Sequence, residues 1–163
     1  MTASFRKTLR LLVDSRVDFI LVGGLAAVTR GAPINTYDVD LVHKRDKGNV
    51  ERLLSVLNSV DAIFRMAPER RLQPNETHLA GRGHINLITS NGMLDILCTI
   101  GKDLTYEDLI PHSDELELGD NLKVRVLRLE KLIEMKEELN GEKDRAMLPI
   151  LRRTLEESRK SGR

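Results

Sequence analysis

The sequence predicts an α+β chain in which helices flank a β-sheet and further helices follow at the C-terminus. Three observations predict it. From Ser4 to Val60 the apolar residues switch between helical spacing and short strand-like runs; two later segments pair apolar runs around Asn- and Gly-containing turns; from Leu129 onward the pattern is helical.

The first helix opens at Ser4, whose hydroxyl can cap it, with Phe5, Leu9, Leu12 and Val13 on one side and Arg6, Lys7 and Arg10 on the wet side. Phe19 to Val22 is a continuous apolar run ending at Gly23-Gly24, which predicts a buried strand entering a turn. A short helix is expected from Leu25 to Arg30, stopped by Gly31 and Pro33. Thr36 to His43 alternates as a strand does. Asn49 to Val60 then carries Val50, Leu53, Leu54, Leu57 and Val60 at helical spacing.

Met66 to Gly83 has no clear period and contains Pro68, Pro74, Gly81 and Gly83, so an irregular connection is expected there. His84 to Thr89 and Met93 to Thr99 flank Ser90-Asn91-Gly92, a strong hairpin signal. A second hairpin is expected where Glu115 to Leu118 and Leu122 to Leu127 flank Gly119-Asp120-Asn121. The C-terminal helical third breaks near Asn140-Gly141 and is expected to fray from Ser158 to Arg163.

The length of 163 residues suits one domain, with residues 1–128 as the core and residues 129–163 as a helical segment packed on it. Hydrophobic residues at 40% and charged residues at 31% describe a chain that folds. With 26 Lys and Arg against 25 Asp and Glu, the net charge of +1 gives no global attraction to nucleic acid or to a membrane surface. Aromatics at 3% with no Trp exclude a base-stacking platform. The single Cys98 can form no internal disulfide, and no stretch approaches the roughly 18 apolar residues of a membrane span. The N-terminus lacks the apolar core of a signal peptide, so a cytoplasmic location is expected.

The chemistry concentrates at Asp38-Val39-Asp40. Residues two apart on a strand share a face, so two carboxylates stand together while Val39 and Leu41 face the other way. Such a pair is either a solvated strand face or a site for a divalent cation, and hard oxygen ligands suit Mg²⁺ or Mn²⁺. Gly23-Gly24 favours the second, because a side-chain-free turn at a helix start lets backbone amides approach a phosphate.

The run Val22-Gly23-Gly24-Leu25-Ala26-Ala27, then Gly31-Ala32-Pro33, then Thr36-Tyr37-Asp38-Val39-Asp40-Leu41-Val42 resembles the signature of the DNA polymerase beta-like nucleotidyltransferase superfamily. Within it, the likeness is nearest to the small prokaryotic proteins grouped with the AbiEii-type toxin nucleotidyltransferases. The resemblance implies the nucleotidyltransferase fold, a mixed sheet flanked by helices. It also implies a nucleoside triphosphate held by the glycine turn, and Mg²⁺ or Mn²⁺ held by three carboxylates. The third would come from a later strand, where Asp95 matches; otherwise Asp95 is a core acid satisfied by an arginine or by backbone amides. Similar proteins carry a lysine and an acidic residue on the last helices, which Lys136 and Asp144 match. Lys136 would neutralise triphosphate charge while Asp144 orients it. Lys143 reads as a solvated charge.

Thr36 either donates its hydroxyl to phosphate or caps the strand. His43, His78, His84 and His112 show no metal-ligand spacing and read as surface or packing residues, and Cys98 reads as core. Arg65, Arg70, Arg71 and Arg82 bracket the irregular segment, either as solvated loop charges or as groups that steer a nucleotide or RNA end.

The expected activity is transfer of a nucleoside monophosphate from an NTP to an acceptor: the 3′ end of an RNA such as tRNA, a protein hydroxyl, or a small molecule. Such a protein could be the toxin of a pair with a cognate antitoxin. The alternatives are a non-catalytic nucleotide- or partner-binding protein, antitoxin-like or regulatory, and a purely structural domain.

Overall fold

The computed structural model describes residues 1–162. Its elements run α1 (Ala3–Asp14), β1 (Phe19–Val22), α2 (Gly23–Thr29), β2 (Asp38–His43), α3 (Lys47–Ser59), β3 (Ile63–Phe64), α4 (Glu76–Ala80), β4 (His84–Thr89), β5 (Gly92–Leu97), α5 (Tyr106–Leu109), β6 (Ser113–Glu117), β7 (Lys123–Leu127), α6 (Leu129–Leu139) and α7 (Glu142–Lys160). All seven strands join one sheet, in the order β3-β4-β5-β2-β1-β7-β6.

The sheet is mixed. β2 pairs antiparallel with β1 and parallel with β5, and β1 pairs parallel with β7. The hairpins β4–β5 and β6–β7 extend it on either side, and β3 closes one edge against β4. The acidic strand therefore lies at the centre, where Val39 and Leu41 are buried and a bare acidic face would otherwise be costly. A single apolar cluster runs from Phe5 through the strands to Leu148 and Leu151 on α7. α2 packs on β2 and α6, and α6 packs on α7.

The structure departs from the sequence expectations at several boundaries. Thr2, not Ser4, caps α1, its hydroxyl accepting from the Phe5 amide at 3.3 Å. α2 begins at Gly23 itself, so the glycine pair is the first turn of the helix rather than a loop before it. α3 starts at Lys47 because Asp46 caps it, accepting from the Asn49 amide.

The 66–83 connection is not wholly irregular: it holds a 3-10 turn at Pro68–Arg70 and α4, whose Asn75 and His78 cap each other's backbone amides. α7 continues through Ser158 to Lys160, with Ser161 as its C-cap, instead of fraying; Arg163 lies outside the described residues. His43 is fully buried, its Nε2 2.7 Å from the Leu79 carbonyl, and Cys98 is buried as expected. No helix among the described residues is long and apolar enough to cross a membrane.

Candidate active site

Strand pairing sets the acids side by side. In the parallel β2–β5 ladder Asp40 is the register partner of Asp95, and Asp38 lies two residues back on the same face. Oxygens of Asp38, Asp40 and Asp95 lie within 4.8 Å of one another. Two oxygens on one Mg²⁺, each at about 2.1 Å, stand about 3 to 4 Å apart, so small side-chain rotations close the set around an ion. An all-carboxylate donor set suits a hard divalent cation.

The electrostatics point the same way. Burial, then the negative charges of Asp38 and Asp95, push the Asp40 carboxyl up to about 7. Asp95, only 9% exposed, is also raised, chiefly by burial, while the Arg65 guanidinium pulls it back down. Arg65 Nη2 donates to Asp95 Oδ1 at 2.6 Å and to the Leu87 carbonyl at 3.3 Å. The cluster thus holds three acids against one guanidinium, a deficit of positive charge that a dication would fill.

Both glycines are dictated by this neighbourhood. Gly23 has φ +67°, and a Cβ there would fall 3.0 Å from the Asp40 Cβ and nearer still to its carboxylate. A Cβ on Gly24 would meet Thr36 Oγ1 at 2.8 Å. Their absent side chains let the β1–α2 turn lie against the acids. The N-cap residue, Val22, offers no side-chain cap, so no side chain of the cap competes for the first amides of α2.

The cleft over this face has a volume of about 390 Å³. Gly23, Gly24, Thr36, Asp38, Asp40, Asp95, Lys136 and Asp144, the residues expected to hold metal or triphosphate, line it, whereas Arg65, Arg70, Arg71 and Arg82 do not. α6 and α7 form its far wall, where Lys136 Nζ lies 3.1 Å from Asp144 Oδ1. Lys143 also lines the cleft. The Thr36 hydroxyl donates to the Asp38 carbonyl at 3.4 Å. Arg70 lies with Arg65 in a separate surface pocket, and Arg82 pairs with Asp103.

Two residues escaped the sequence reading. Arg65 reads either as a loop charge or as a group steering a nucleotide; the structure pairs it with Asp95, the arginine-satisfied acid of the alternative reading, and nothing local shows that Asp95 sits two strands away. Tyr37, 75% exposed on the cleft rim, is one of two tyrosines in the chain and stands between Thr36 and Asp38, which is the only signal that could have marked it.

No protein-family profile and no curated protein matches the chain at a significant level. Solved structures do. The lincosamide antibiotic adenylyltransferase LnuA, in its lincomycin-bound form, superposes with a TM-score of 0.60 at 14% identity, covering 93% of this chain and 96% of LnuA. A candidate nucleotidyltransferase of Thermotoga maritima, TM1012, superposes with a TM-score of 0.56 at 17% identity, covering 94% of this chain and 91% of TM1012. At such identities the likeness is one of architecture, and it holds over nearly the whole length: the chain has the nucleotidyltransferase fold.

Proposed function

We propose that the protein is a Mg²⁺-dependent nucleotidyltransferase, moving a nucleoside monophosphate from an NTP to an acceptor hydroxyl. The observation that carries this is the convergence of three carboxylates, two obligatory glycines and Lys136 on one cleft. The fold shared with LnuA and TM1012 supports it as an analogy.

When bound, Mg²⁺ or Mn²⁺ would neutralise triphosphate charge and activate the acceptor hydroxyl. Asp38, Asp40 and Asp95 would hold it, with oxygens that lie within 4.8 Å of one another. The Gly23-Gly24 turn leaves room for phosphate oxygens beside the acids, and Lys136 supplies a cation from the opposite wall once Asp144 releases it or shares it. The acceptor oxygen bonds to the α-phosphorus as the bond to the bridging oxygen breaks, its electrons leaving on pyrophosphate. The hydroxyl proton would pass to a carboxylate of the cluster. Catalysis of this kind is mostly positioning and charge neutralisation.

LnuA acts on lincosamide antibiotics; for this chain an RNA 3′ end, a protein hydroxyl and a small molecule are all chemically competent acceptors. The AbiEii-type affiliation and the role of toxin in a toxin–antitoxin pair rest on the Val22–Val42 signature alone.

The test is a melting-temperature series with Mg²⁺ and each NTP, followed by transfer of an α-phosphate label. Wild type is expected to be stabilised only by the two together, and Asp38→Asn to lose that response. No response in wild type defeats the metal site; nucleotide binding with no label transferred to any acceptor leaves a non-catalytic binding protein.

A further inference from the structure

The sheet face that carries the acids continues past them. Leu97 follows Asp95 by two residues on β5, so its side chain shares that face about 7 Å further along. His84 stands opposite Leu97 on β4, as Asn86 stands opposite Asp95. Beyond them a second cavity, of about 440 Å³, opens between β5, the loop following it and α6. Gly23, Leu132 and Lys136 line both this cavity and the acid cleft, so the two spaces meet at the glycine turn.

The chemistry of the second cavity differs from that of the first. Leu97, Ile100, Leu132, Met135 and Leu139 give it an apolar lining, and Leu139 at its mouth is 62% exposed. Its charges have other partners: Lys136, shared with the acid cleft, pairs with Asp144 and is the cation assigned to triphosphate there, and Asp103 pairs with Arg82. His84 Nε2 lies 3.1 Å from the Thr99 carbonyl. Among the described residues lining it there is no cation left for a phosphodiester, and the one aromatic ring is His84, tied to the Thr99 carbonyl. A cavity of this volume is of the size that small ligands occupy.

We propose that this cavity seats the acceptor, a small molecule with an apolar body packed on Leu97, Met135 and Leu139 and a hydroxyl directed at Asp95. The assignment rests on the nucleotidyl-transfer reading and names its substrate class. The acceptor oxygen would bond to the α-phosphorus as pyrophosphate departs, its proton passing to the carboxylates.

The experiment titrates naphthalenemethanol, a fluorescent apolar alcohol, into full-length wild type, Leu97→Glu and Leu139→Glu. Mg²⁺-ATP binding is measured separately on wild type. Wild type is expected to bind the alcohol saturably at one site, Leu97→Glu to weaken it by about tenfold or more, the effect of a charge in an apolar pocket, and Leu139→Glu to weaken it by about threefold through loss of the apolar rim. If Leu97→Glu does not fold, Leu139→Glu carries the test, because its side chain is largely in solvent. A wild type that binds Mg²⁺-ATP but shows no saturable alcohol binding, or binding that the variants leave unchanged, overturns the acceptor pocket alone. A wild type that binds no Mg²⁺-ATP overturns the reading beneath it. Transfer of α-phosphate label to RNA, undiminished in Leu139→Glu, overturns the substrate class. A wild-type dimer that Leu139→Glu converts to monomer makes the cavity a contact between copies and overturns the proposal.

Discussion

Arg65 reaches across β4 to place its Nη2 2.6 Å from Oδ1 of Asp95, so the third acid of the cluster is held by a side chain from the opposite end of a three-strand segment. The backbone makes this possible: the Arg65 amide donates to the Asn86 carbonyl, and Asn86 is the register partner of Asp95. Arg65 fixes the orientation of this carboxylate, which a cation held by the three acids would share.

Arg65→Ala should leave Asp95 buried without its guanidinium. At pH 8 without divalent ions the variant should lose about 1–3 kcal/mol of stability, the usual cost of a buried polar group stripped of its partner. At pH 5 the loss should shrink, because removing Arg65 raises the Asp95 pKa further and the carboxyl can protonate. Urea melts at both pH values check this; equal losses would show that Arg65 acts by packing rather than by charge.

Asp40 gives a pH dependence of its own. Its pKa in the fold, about 7, stands above the ordinary carboxylate value, so the protonated form favours folding. That contribution is whole below about pH 4 and is lost as the pH rises through about 7. Asp40→Asn should accordingly be more stable than wild type at pH 8 in EDTA, by about 1–3 kcal/mol, and no more stable at pH 4. Millimolar Mg²⁺ together with NTP should reverse the order at pH 8 by stabilising wild type only. An Asp40→Asn variant less stable than wild type in EDTA at pH 8 would show that the carboxylates do not repel.

Much of this site was legible because its signals are local. The alternation through Asp38-Val39-Asp40 predicts a shared face and Asn91-Gly92 predicts the β4–β5 hairpin, but Asp95 joined the pair only through the family resemblance, because the β2–β5 pairing is a long-range contact that no local signal shows. The Arg65–Asp95 pair was not legible, since it depends on β3, a two-residue strand too short to show any period, taking the edge beside β4. α2 was placed two residues late because glycines weaken a helix pattern, whereas here contact with Asp40 and Thr36 decides the first turn. Likewise α4 hides behind Pro74 and polar residues, its stability resting on the Asn75–His78 caps and buried Leu79.

The glycine pair separates into two tests. Gly23→Ala should cost about 2–4 kcal/mol, summing a left-handed backbone with a side chain and an overlap with Asp40. Gly24→Ala meets only Thr36, so Thr36→Gly should recover part of its loss in a double-mutant cycle, with a coupling of about 1 kcal/mol or more. Gly83→Ala, with nothing within 4 Å of the added methyl, is the control and should be near neutral. Additive losses at Gly24 and Thr36 would mean that the turn does not press on the Thr36 loop.

Lys136 distinguishes ligand binding from structure on the far wall. It is paired with Asp144 at 3.1 Å, and both side chains are only partly exposed. If the pair were merely structural, Lys136→Met and Asp144→Asn would lower stability alike and alter Mg²⁺-ATP affinity by similar, small factors. If Lys136 turns toward the triphosphate, Lys136→Met should weaken Mg²⁺-ATP by about tenfold, the loss of one charge-assisted hydrogen bond. Asp144→Asn would then weaken it far less, because a lysine freed of its carboxylate remains available to phosphate. Raising the salt concentration should narrow the gap between Lys136→Met and wild type, since a lysine–phosphate contact in an open cleft is screened. Calorimetric titration of the three proteins at two ionic strengths reads these differences directly, and equal affinities for Lys136→Met and Asp144→Asn would return both residues to a structural role.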